Sequence, residues 1–384
     1  MKIKLNPDVL RWARERAGLD EAALAKMVLG AKGTAKNVRE WETTGELAMR
    51  LVEVIAKKTH TAFGYLFLNE RPTEALPMRD FRTVRNVAVS RPSTDLLDIV
   101  QKAQLRQNWY REHLIANGEP PLPFIGKASS NESTKDTAAN IRKTFGVGPS
   151  LTAEAITWEA AFRDTIEALE SSGILVLRTG FAHGYTGRKL STDEFRGFAL
   201  CDDYAPLVFI NGADAPNAQM FTLAHEVAHV WIGVSGISNF DKTYASGNDV
   251  EYRCNQIAAE VLLPLDELKM SWQKDCNYYD EISRLSKKYK VSNVVVARRA
   301  HDAGFISAQR YNSVFGIEVN RKRKSSRGNY YINEQYQNSK RFSVALLRDA
   351  REGRTLLHDA MKLLGIKKRK TLTRYMEALQ LEAV

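Results

Sequence analysis

Phe221-Thr-Leu-Ala-His225-Glu226-Val-Ala-His229-Val-Trp231 decides how this 384-residue chain is read. Two histidines stand four residues apart, with a glutamate directly after the first. Positions i and i+4 share one face of an α-helix, one turn apart, so His225 and His229 can offer imidazole nitrogens to a single ion. Tetrahedral zinc accepts such nitrogens at about 2.0–2.1 Å. Glu226 projects from nearly the same face. It can take a proton from a water that zinc acidifies to a pKa of roughly 7 without being a ligand itself. Phe221, Leu223, Ala224, Val227, Ala228, Val230 and Trp231 are apolar, which predicts a buried helix. Imidazoles and a carboxylate are costly there unless something pairs with them.

A catalytic zinc site usually has three protein ligands and an open position. A second helix is expected over 250–263, rich in Ala, Ile and Leu and closed by Pro264. It carries Glu251, 22 residues beyond His229, and Glu260. At 3.6 residues per turn these two glutamates lie about half a turn out of phase, so one helix does not aim both at one ion. Glu251-Tyr-Arg-Cys254-Asn255 resembles the Glu-x-x-Ser/Ala-Asp/Asn of gluzincins, which favours Glu251, with Glu260 the competitor. Cys254 reads as a small buried residue.

Four stretches carry a wider resemblance: Arg196-Gly-Phe-Ala-Leu, Pro206-Leu-Val-Phe-Ile-Asn211, Phe221-Thr-Leu-Ala-His-Glu and Asn255-Gln-Ile-Ala-Ala-Glu-Val-Leu-Leu-Pro264. Together they resemble the ImmA/IrrE family of metallopeptidases, over about 174–264. The resemblance implies a zinc-dependent endopeptidase that cleaves a repressor or similar regulatory protein. It also implies a frequent companion, an N-terminal Xre-type helix-turn-helix domain.

The rest of the chain is compatible. Before the metal helix, apolar runs at 173–178, 195–201 and 205–211 predict three strands, the last two joined as a hairpin through Asp202-Asp203-Tyr204. An extended substrate can add to an exposed edge of such a sheet. The loop Phe181-Ala-His183-Gly-Tyr185 precedes it, and His183 or Tyr185 is a candidate to stabilise an oxyanion. Residues 233–239 read as a flexible turn. At the N-terminus, helices are expected over 8–17, 21–28 and 35–41, in a helix-turn-helix layout, followed by a longer one over 47–62. Lys36, Asn37 and Arg39 of the third helix are the candidate contacts to double-stranded DNA. Its turn, Gly30-Ala-Lys-Gly33, is longer and richer in glycine than is usual for the Xre class. Residues 70–83 form a two-proline linker whose Phe81 is expected to dock on the peptidase.

The expected fold is α+β: a helix-turn-helix domain (1–70), a linker and helical segment (71–150), a zincin-like domain with a trailing helical pair (151–305) and a basic C-terminal extension (306–384). The pair near 279–303 has a helix-turn-helix look but is expected to pack structurally. In the extension, Arg321-Lys-Arg-Lys324 and Ile366-Lys-Lys-Arg-Lys370 are basic clusters, and 343–364 is expected to fold as helices.

The formal charge is +11 and the pI near 9.4, which favours acidic partners or nucleic acid. No apolar run approaches the ~20 residues of a membrane span, and the start lacks an apolar signal core. Three scattered cysteines suit reduced thiols and a cytoplasmic location. Two rival readings use the same residues: a toxin of a toxin–antitoxin pair acting through the same site, and a DNA-binding regulator with a non-catalytic peptidase fold.

Overall fold

Short amphipathic helices punctuated by capping residues build the N-terminal part. The structure, a computed structural model, describes residues 2–72, 76, 78–80, 83–84, 87–88, 92–129, 131–148, 156–182, 188–238, 249–320 and 337–381. The chain divides into two compact units, residues 1–77 with 90–98 and residues 78–89 with 99–384.

In the first unit, β1 (Lys2–Lys4) precedes α1 (Pro7–Arg16), α2 (Glu21–Leu29) and α3 (Ala35–Thr44), then β2 (Glu46–Ala48) and α4 (Met49–Lys58). Asp20 caps α2 by accepting from the Ala23 amide at 2.7 Å. Gly45 closes α3 in the left-handed conformation, φ 71°. Val9, Leu10, Trp12, Leu24, Val38, Val52 and Ile55 form the core. Beside it the Arg14 guanidinium grips the buried Glu42 carboxylate at 2.6 and 2.9 Å. A Cβ on Gly33 would sit 2.1 Å from the Ala25 carbonyl oxygen, so the turn between α2 and α3 presses onto α2 and needs glycine. The first three helices lie where periodicity puts them. The fourth is shorter at both ends: 47–48 join a strand that pairs antiparallel with 2–4, Ile3 opposite Leu47, and the helix stops at Lys58 with Thr59 as its cap. A three-residue strand has too little alternation to read from sequence.

The second unit holds a five-stranded sheet. Its strands are β3 (Arg79–Asp80), β6 (Leu175–Thr179), β7 (Gly197–Leu200), β8 (Leu207–Asn211) and β9 (Gly236–Ser238), in the order β3-β9-β7-β8-β6. A separate two-stranded pair joins β4 (Thr83–Val84) to β5 (Val87–Ala88). The expected hairpin is β7–β8, antiparallel, with Phe198 opposite Phe209 and their rings stacked 4.8 Å apart. One expectation changes. Residues 236–238 are not a flexible turn but a fully buried strand, antiparallel to β7 and parallel to β3. Gly233 turns the chain at the end of α8, with φ 77°. The described sheet edges are therefore β3, from the linker, and β6. Phe81 lies outside the described residues.

Helices surround this sheet: α5 (Thr94–Ala116), α6 (Thr134–Thr144), α7 (Trp158–Ser171), α8 (Pro216–Ile232), α9 (Asp249–Leu262), α10 (Leu265–Ser271), α11 (Tyr278–Tyr289), α12 (Asn293–Asp302) and α13 (Ala308–Asn320). Ala199, Val208, Ile210, Leu223, Val227, Trp231, Ile257 and Val261 form one core that locks α8 and α9 to the sheet. Met220, Ala224, Leu262, Ile282, Leu285 and Val296 form another, in which the α11–α12 pair braces α8. The C-terminal region folds as α14 (Lys340–Arg351), α15 (Leu357–Leu364) and α16 (Arg369–Ala378). Arg106 of α5 donates to the carbonyls of Leu363 and Gln337, each at 3.0 Å, and Phe342 meets Trp109 edge-on. The cluster 321–324 lies outside the described residues. Among those described, no helix is long and apolar enough to cross a membrane.

Candidate metal centre

Helix α8 starts with Pro216 in its first turn and ends on left-handed Gly233. Every residue from Met220 to Trp231 except Phe221 is buried. Its polar residues therefore face protein on all sides. His225, Glu226 and His229 are each 0% exposed. The two imidazoles turn toward one point, Nε2 to Nε2 at 3.1 Å. Helix α9 brings the Glu251 carboxylate to the same point, Oε2 at 3.2 Å from His225 Nε2 and Oε1 at 2.9 Å from His229 Nε2.

One turn further along α9, Asn255 Oδ1 lies 2.9 Å from His225 Nδ1. An amide oxygen only accepts, so Nδ1 carries a proton and donates it to Asn255. Burial lowers the His225 pKa, against the pull of Glu251. Burial would raise Glu251, but the charge of His225 and the hydrogen bonds from both imidazoles outweigh it, to about 2. Two imidazole nitrogens and a carboxylate thus converge within 3.2 Å of one another, a donor set that would suit a divalent cation. Zinc–nitrogen bonds of about 2.0–2.1 Å would span two nitrogens separated by roughly 3.3 Å in a tetrahedron, close to the separation found.

The other side chains take distinct places. Glu260 is directed away: it pairs with Arg299, which also donates to the Leu263 carbonyl at 2.9 Å. Cys254 Sγ forms a buried cluster with His225 and His229, ligand atoms within 4.8 Å of one another, close enough to hold a metal ion. Burial pushes its thiol pKa well above the ordinary value, and the Glu251 carboxylate lies 2.9–3.2 Å from the two imidazole nitrogens. Glu226 sits beside the imidazoles with neither carboxylate oxygen hydrogen-bonded at normal geometry among the described residues. Burial, then the Glu251 charge, raises its pKa well above that of an ordinary glutamate, with the Ser238 hydroxyl opposing. His183 and Tyr185 lie outside the described residues.

Sequence reading missed two contributors. Ser238, on β9, places its Oγ 3.3 Å from His225 Nε2. Gly197, on β7, faces α8 so closely that a Cβ there would sit 2.6 Å from Thr222 Cγ2 and 2.8 Å from Glu226 Oε1. The Arg196-Gly-Phe stretch held the second signal, since glycine inside a strand marks close approach. Nothing local marked the first.

Residues 169–301 match the IrrE N-terminal-like domain family, Peptidase_M78. The match supports the ImmA/IrrE resemblance for this segment and spans β6–β9, α8, α9 and the bracing α11–α12 pair. In this IrrE-like segment the peptidase-type motif, the buried cluster and the sheet that carries them coincide. Residues 338–378 match DUF8813, a domain of unknown function. No curated protein and no solved structure matches the chain.

Of the DNA-contact candidates, Lys36 and Arg39 are exposed, and Arg39 Nε meets Glu21 at 2.5 Å. Asn37 Oδ1 accepts from the Thr34 amide at 3.0 Å and from its hydroxyl at 2.9 Å, completing a capping box.

Proposed function

We propose that the chain is a zinc-dependent endopeptidase that cleaves a regulatory protein, a repressor or one like it. The observation that carries this reading is the convergence of His225 Nε2, His229 Nε2 and the Glu251 carboxylate at 2.9–3.2 Å, inside a buried helix pair, with the buried Glu226 carboxylate next to them. His225, His229 and Glu251 hold the metal. Zinc, when bound, acidifies water and polarises a peptide carbonyl. Glu226 is the proton carrier: its raised affinity lets it take a proton from the attacking water and deliver it to the departing amine. Asn255 fixes the His225 tautomer, and Gly197 lets the sheet approach Glu226.

In the first unit we propose a helix-turn-helix that brings the peptidase to double-stranded DNA, through Lys36 and Arg39. Asn37 is left out of base reading because its side-chain oxygen is engaged in the cap.

The test compares cells expressing wild type with cells expressing Glu226→Gln, profiling newly formed protein N-termini. The expected result is a short set of new termini in one or a few regulators, absent in the variant, while both purified proteins hold one zinc. Identical termini in both would overturn the proposal.

A further inference from the structure

The C-terminal three helices have no part in the metal centre. Helix α15 ends on Gly365, left-handed at φ 74°, and residues 365–368 turn the chain into α16. Leu364, Ile366, Leu372, Tyr375, Met376 and Leu379 are buried, and the Tyr375 hydroxyl meets Ser343 Oγ of α14 at 2.8 Å. One side of α16 is thus fixed to the three-helix core. The opposite side is exposed and cationic: Lys367, Lys368, Arg369, Lys370 and Arg374 lie in the turn and the first half of the helix, with Thr373 among them. No acidic residue occupies the first turn of α16, as is also true of α3, α4, α8, α12 and α14, but here the turn is crowded with cations. Cations gathered at the positive end of a helix repel it and each other. Such a surface is stabilised when anions arrive.

From this layout we infer that α14–α16 is a second helix-turn-helix, and that α16 is laid in the major groove of double-stranded DNA. Two short helices joined by a glycine turn, the second offering its N-terminal half, are the layout that enters that groove. The chemistry favours a duplex over a single strand. Single-strand binders stack bases on exposed aromatic rings, but Phe342 and Tyr375, the Phe, Tyr or Trp residues of 340–381, are both fully buried. A rigid helix bearing cations along one face suits regularly spaced phosphates instead. Arg374 follows on the same exposed side, while the Thr373 hydroxyl donates to the Arg369 carbonyl at 3.2 Å. This inference does not depend on the peptidase reading.

The test is fluorescence anisotropy of the full-length protein on a mixed-sequence 30-bp duplex, as a function of salt. Three proteins are compared: wild type; Lys368→Gln with Arg369→Gln and Lys370→Gln; and a control of equal charge, Lys269→Gln with Lys274→Gln and Lys287→Gln. All six positions are exposed, and thermal unfolding verifies that each protein folds. The α16 variant is expected to bind at least about 10-fold more weakly near 100 mM salt, with the slope of log K against log salt reduced by roughly 2–3. The control keeps most of the affinity. Equal losses in both variants, wild-type affinity in the α16 variant, no duplex binding by wild type at 50 mM salt, or clear preference for a single-stranded RNA competitor would each overturn the inference. If, of these and a fourth protein carrying Lys36→Gln with Arg39→Gln, only the fourth loses binding, the first unit is the DNA contact and α16 is not.

Discussion

Helices α8 and α3 both carry residues singled out for function, and the molecule treats them in opposite ways. In α8, two imidazoles and a carboxylate are sealed from water. Solvent cannot satisfy them, so protein groups do: Asn255 and Ser238 meet His225, and Glu251 meets both imidazoles. In α3, Lys36 and Arg39 lie in water and Asn37 is spent on a cap. Solvent satisfies the cations whether or not DNA is present. Buried polar groups thus report a function in a way that exposed ones do not. Substitutions in the two helices should part accordingly.

The largest effect is expected from His225→Ala. Removing one imidazole should empty the metal site and reduce proteolysis to background, read as zinc per chain by plasma mass spectrometry. Retention of full zinc would break the contrast between the helices.

Glu226→Gln should keep the metal and reduce turnover by about 10²–10⁴-fold, the usual worth of a positioned proton carrier. It also has a pH signature in metal-free protein. Because the folded-state pKa of Glu226 is raised, the folded state holds a proton that the unfolded state has released. The wild type therefore loses stability relative to the variant as pH rises from the unfolded value, 4.5, and the gap levels off above the folded value. Urea unfolding in chelator between pH 4 and 8 measures it. A wild type that gains stability relative to the variant as pH rises would contradict the burial argument.

Asn255→Ala leaves the three ligands in place but frees the His225 tautomer, and should weaken zinc binding by about 10–100-fold, measured by competition with a chromophoric chelator. Arg39→Ala should be the mildest. Its pair with Glu21 is largely exposed, 68% on the arginine side, so thermal unfolding should change by less than about 1 kcal/mol. A larger loss would mean that α3 is more tightly built than its surface suggests.

The same contrast governs what could be read from sequence. The His-Glu-x-x-His spacing and its apolar flanks made α8 legible, and the gluzincin-like spacing pointed to Glu251. The competition between Glu251 and Glu260 was open on spacing. In the structure Arg299 from α12 engages Glu260, a pairing made by residues 39 positions apart. Ser238 was illegible for a related reason. Its stretch looks like a glycine-rich turn, and only the sheet order, with β9 between β7 and β3, carries it to His225. The β1–β2 pair escaped because three residues hold no period. Local patterns were legible; partners supplied by distant elements were not.

The most direct test of the metal centre is zinc K-edge X-ray absorption on the purified full-length protein. The expected first shell holds two imidazole nitrogens and carboxylate oxygen from Glu251, without sulfur, and loses its carboxylate component in Glu251→Ala. A sulfur scatterer near 2.3 Å, which would place Cys254 on the metal, or a protein that neither carries nor takes up zinc, would contradict the account.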